Sequence, residues 1–132
     1  MLSNAANEAN QRPLIWMAST KADLLAMPEG IHKDVGVALD FAQRGEKSDD
    51  AKVLSHFGDA QVLEIVAKQD GNAYRAVYTV RFERAVYVLH VFTKKSKAGI
   101  ATPKQDMDLI AQRLATADRH YQAHFSPTPG GQ

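Results

Sequence analysis

QVLEIVAKQDGNAYRAVYTV, Gln61–Val80, is built of two apolar segments rich in β-branched and aromatic residues, joined at Asp70-Gly71. Asp-Gly between two such segments is a strong hairpin signal, because both central residues of a type I′ turn need positive φ. A two-residue turn at that point also fixes register: Val66 faces Arg75 and Glu64 faces Val77. AVYVLHVF, Ala85–Phe92, follows the short link RFER and extends the hairpin to a three-stranded antiparallel meander. If RFER closes as a tight loop, Arg75 faces His90.

Alternation then sorts the side chains. One face carries Glu64, Arg75, Thr79, His90 and Lys94 among valines. The other carries Tyr74, Ala76, Tyr78, Val80, Tyr87, Leu89 and Val91, a surface suited to helices.

Upstream, PLIWMA from Pro13 reads as a strand with proline at its first position. Thr20 with Asp23 forms a capping signature for a short helix through Leu24, Leu25 and Met27. Pro28 opens a second helix, with Ile31, Val35, Leu39 and Ala42 at helical spacing and Gly45 as its stop. GEKSDDAK reads as a polar loop. Thr102-Pro103-Lys104-Gln105 supplies an N-cap, a first-turn proline and a capping-box Gln for a last helix carrying Met107, Ile110, Leu114, Ala117 and Tyr121. His120 and His124 fall in its fraying end. The expected fold is α+β: a strand, two helices, a three-stranded meander and a C-terminal helix, with the helices on one face of the sheet. Residues 1–12 and 125–132 read as polar tails around a single domain spanning 13–124.

The 132 residues suffice for one core, and 45% hydrophobic with 23% charged residues is a globular composition. With no cysteine, disulfides, thiol catalysis and thiolate zinc sites are excluded. No stretch approaches the roughly 18 apolar residues of a membrane span, and the expectation is a soluble cytoplasmic chain. The net charge of +1 conceals segregation. Between Ala73 and Lys104 lie Arg75, Arg81, Arg84, Lys94, Lys95, Lys97 and Lys104 against Glu83, whereas the remainder is acidic. A field of that shape suits a polyanion.

The mixed face has the residue types for phosphodiester transfer. Arginine binds phosphate bidentately and stabilises its developing charge, while Lys, His or Glu moves protons. RNA supplies its own nucleophile, the 2′-hydroxyl, so no cofactor is called for; DNA lacks that group. His32, His56, His120 and His124 form no metal-ligand spacing with nearby carboxylates. A solvated basic loop and a plain Glu64–Arg75 ion pair are the structural alternatives.

The strings PLIWMAS, YRAVYTVRFERAVYVLHVFTKKSK and GIATPKQDMDLIAQRL, with VLEI between them, resemble the phage-derived, HigB-like (Gp49-like) branch of the RelE/ParE toxin superfamily. The resemblance spans Pro13 to Tyr121. It implies a microbial-RNase-like fold and a metal-independent endoribonuclease acting on mRNA in the ribosome. It also implies a helix-turn-helix, HigA-like antitoxin as partner, the toxin otherwise being a monomer or weak dimer. By this resemblance the phosphate-binding arginine falls on Arg75, and the basic residues ending the next strand fall on Lys94 and Lys95. His90 or Glu64 is the candidate base, and Arg81, Arg84, Lys97 and Lys104 are candidate RNA contacts. RelE proteins carry lysines where this chain has Val62-Leu63-Glu64-Ile65. The superfamily also holds ParE-like gyrase poisons, and a non-catalytic RNA- or protein-binding module is the further alternative.

Overall fold

The structure is a computed structural model that describes residues 11–95 and 102–125, Lys95 by its backbone. Strand β1 (Leu14–Trp16) leads to helices α1 (Thr20–Leu25) and α2 (Glu29–Gln43). Strand β2 (Ala51–Val53) and a 3-10 segment (Ser55–Ala60) come next, then β3 (Val62–Gln69), β4 (Asn72–Thr79), β5 (Val86–Lys95) and helix α3 (Lys104–His124).

The sheet has five strands rather than the expected three, in the order β1-β5-β4-β3-β2, with β3, β4 and β5 antiparallel neighbours at its centre. Strand β1 lies parallel to β5, with Leu14 opposite Val86, and β2 lies antiparallel to β3. Strand β2, Ala-Lys-Val within a polar stretch, is too short to show a period.

The hairpin register follows the sequence. Asp70 and Gly71 have φ of 52° and 80°, the mirror-image turn, and Val66 pairs with Arg75. The β4–β5 register differs from expectation. Arg75 faces Phe92 rather than His90, and His90 faces Val77. Residues 80–85 form a longer link than RFER suggested, with Phe82 buried in it. A β-bulge then interrupts the ladder: Tyr78 pairs with Val88 and Val77 with His90, leaving Leu89 without a partner on β4.

The bulge reassigns faces. Tyr87 and Leu89 pack with Val77, Phe82, Ile110 and Ala117 in one core, under α3. Val86, Val88, Val91, Tyr74, Ala76 and Tyr78 meet Ile31, Val35 and Leu39 of α2 in the other. Helices therefore cover both faces, not one, because both faces of the central strands are apolar. The helix starts also shift. Ser19, not Thr20, precedes α1 and donates from Oγ to Asp23 Oδ2 at 2.8 Å. Pro28 sits just before α2. Gly45, with φ of 80°, follows its end. No helix among the described residues is long and apolar enough to cross a membrane.

Tyr78 lies on the α2 side with its hydroxyl buried and without a hydrogen-bond partner among the described residues. Burial pushes its phenol up to about 12. The native state therefore holds this proton after the unfolded chain has released it, and stability falls as pH rises above about 10. Tyr78→Phe should leave stability unchanged or raise it by up to about 1 kcal/mol in urea denaturation and flatten that alkaline decline. A loss above about 1 kcal/mol would mean that the hydroxyl is satisfied.

Candidate active site

Three neighbouring strands deliver Glu64, Arg75, His90 and Lys94 to one face, as alternation predicted, with His90 diagonal to Arg75 instead of opposite. That face is not open. The first turns of α3 lie over it, and Glu64, Arg75 and His90 are 4%, 7% and 8% exposed.

Two linked clusters result. Arg75 Nη1 lies 3.5 Å from Glu64 Oε2 and donates to Thr102 Oγ at 3.3 Å. The Thr102 hydroxyl in turn donates to Glu64 Oε2 at 2.8 Å. Thr102 thus joins an ion pair instead of capping α3, for which Pro103 is the preceding residue. In the second cluster His90 Nε2 lies 2.8 Å from Asp106 Oδ1, and Lys94 Nζ lies 3.8 Å from Asp106 Oδ2. Arg113 Nη1 approaches His90 Nδ1 at 3.4 Å and donates to Leu89 O at 2.9 Å. A guanidinium has no acceptor, so Nδ1 accepts and Nε2 carries the proton given to Asp106. Phe92 stacks on the imidazole at 4.4 Å between centroids. Lys94, with its side chain 44% exposed, is the accessible cation of the group.

The other candidates lie elsewhere. Arg81 and Arg84 belong to the link at the far end of β5, roughly 25 Å along the strand from Lys94. Arg84 Nη1 donates to Phe125 O, and Arg81 lies over the Phe82 ring at 5.7 Å. Lys104 is exposed and pairs with Asp108 at 2.9 Å, a partner that raises its pKa. Lys97, the Lys95 side chain and most of the two expected tails lie outside the described residues.

Sequence reading missed Asp106 and Arg113, and took Thr102 for a cap and His120 for a fraying end. Spacing carries the missing signal. Asp106, Arg113 and His120 recur every seven residues beside the apolar stripe of α3, and each meets β5. Asp106 reaches His90, Arg113 reaches Leu89 O, and His120 Nδ1 meets the Tyr87 hydroxyl at 2.7 Å. Burial, with Tyr121 nearby, pushes the Tyr87 phenol up to about 12, so at neutral pH it is a hydroxyl in that contact. Among the described residues no three His, Asp or Glu side chains form a metal-ligand set.

Glu64→Ala removes the carboxylate from a buried arginine and should cost about 3 kcal/mol in urea denaturation, against about 1 kcal/mol for Thr102→Val. Equal, small losses would show that the corner is not electrostatically coupled.

No curated protein and no solved structure matches this chain. The model of the phage-derived Gp49-like protein family matches residues 22–115, a span that contains Glu64, Arg75, His90, Lys94, Asp106 and Arg113. The chain belongs to that phage-derived Gp49-like family, which is associated with RelE-like toxins.

Proposed function

We propose that the chain is the toxin of a HigB-like toxin–antitoxin pair and cleaves mRNA on the ribosome without a metal. The observation carrying this reading is the assembly of Arg75, His90 and Lys94 on one sheet face beside the start of α3. In the proposed reaction the RNA 2′-oxygen attacks the adjacent phosphorus. The 2′-O–P bond forms, the P–O5′ bond breaks, and a cyclic phosphate and a 5′-hydroxyl end result. Arg75 stabilises the charge gathering on the non-bridging oxygens. His90, its ring fixed by Arg113 and Phe92, gives its Nε2 proton to the departing 5′-oxygen while solvent takes the 2′-hydroxyl proton, and Lys94 draws in the phosphate. Glu64 is buried and bonded to Arg75 and Thr102, so its role is to position Arg75 rather than to act as base. The partner is a helix-turn-helix antitoxin, the setting is the cytoplasm, and the chain outside that complex is a monomer or weak dimer.

A second reading, a non-catalytic module that grips RNA or an acidic partner, draws on the 7% exposure of Arg75 and its pairing with Glu64. Substrate reaches Arg75 only if Thr102 and the adjoining start of α3 yield. Induced expression followed by primer extension separates the two. The nuclease reading expects growth arrest with new 5′ ends inside translated messages. Lys94→Ala, at a half-exposed position, should keep its stability and lose about a hundredfold in cleavage rate. Arrest with intact messages would overturn the nuclease, and gyrase inhibition would be assayed next.

A further inference from the structure

Asp106 sets a carboxylate between two cation-forming groups of the corner. One oxygen is 2.8 Å from His90 Nε2 and the other 3.8 Å from Lys94 Nζ, with Arg113 behind the imidazole. Its side chain is 14% exposed, so the carboxylate has given up most of its water for these partners. A clamp holding α3 to the sheet would need one neutral hydrogen bond. Here Lys94 and Arg113 are both charged, and His90 adds a third donor. Without the Asp106 charge, the second cluster holds surplus positive charge around a largely buried imidazole, with Lys94 at its open side, a condition that favours an anion. The two carboxylate oxygens, shared between two donors, match the two non-bridging oxygens of a phosphodiester.

We infer that Asp106 is an internal stand-in for phosphate, and that the space between His90 and Lys94 takes a phosphodiester when Asp106 vacates it. This deepens the nuclease reading, on which the choice of RNA as ligand rests; the anion site rests on the geometry alone.

The test uses the full chain labelled with ¹⁵N, following the His90 ring signals during titration with inorganic phosphate. Removing a charge-assisted competitor should lower the phosphate midpoint of Asp106→Ala by about tenfold or more relative to wild type. Asp106→Asn, which keeps the side-chain shape and an acceptor for His90, should shift the same way and guards against an unfolded Ala variant. Asp108→Asn, which removes a carboxylate from the exposed side of α3, should titrate like wild type. Equal midpoints in wild type and both Asp106 variants, or no saturable response in any of them, overturn the inference. A 2′-O-methyl dinucleotide that binds Asp106→Ala more tightly than phosphate supports the phosphodiester assignment, and one that binds no tighter overturns it. Phosphate binding by Asp106→Ala in a chain that leaves messages intact would sink the nuclease reading and leave the anion site standing.

Discussion

One extra residue in β5 organises the molecule. Leu89 has no partner on β4, so Leu89 and His90 both turn toward α3 while the strand keeps its alternation on either side. Tyr87 and Leu89 then supply the apolar bed on which Ile110 and Ala117 rest, and His90 and Phe92 fall beside the first turns of the helix. At the bulge Arg113 donates to the carbonyl of the extra residue, Leu89. Without that step Tyr87 and Leu89 would face α2, and α3 would have little to bury against.

The polar corner depends on the same packing. Glu64 and Arg75 are taken almost wholly out of water, a desolvation offset where the two ions and the Thr102 hydroxyl meet in one bonded set. Asp106 closes the second set against His90 and Lys94. Each buried ionic group in the corner has a partner of opposite sign; Thr102, just before α3, completes the first set, and Asp106 of α3 completes the second. The groups suited to phosphate chemistry and the groups fastening the helix are therefore the same, which ties access to the site to the seating of α3.

Much of the fold was legible because local chemistry dictates it. Asp70-Gly71 specified the turn and with it the β3–β4 register, and the apolar spacing from Met107 to Tyr121 specified α3. The bulge was not legible. AVYVLHVF is evenly apolar, with no glycine or proline at the irregularity, so either register buries suitable side chains. Strand β2 is three residues long and owes its existence to pairing with β3. Of the site, the strand residues could be placed by alternation, which survived a register error because that error kept parity. Asp106 and Arg113 resembled the surface charges of any amphipathic helix. Only the sheet beneath them gives them a role, and their spacing of seven hints at it.

The central claim is that the corner under the start of α3 is a phosphodiester site. A crystal structure of the chain bound to a short RNA with a 2′-O-methyl group at the scissile position tests it most directly. The account predicts a phosphate within hydrogen-bonding distance of Lys94 and His90, with the Arg75 guanidinium beside it and Asp106 displaced. An RNA bound elsewhere on the surface, with Asp106 still seated on His90, would contradict it.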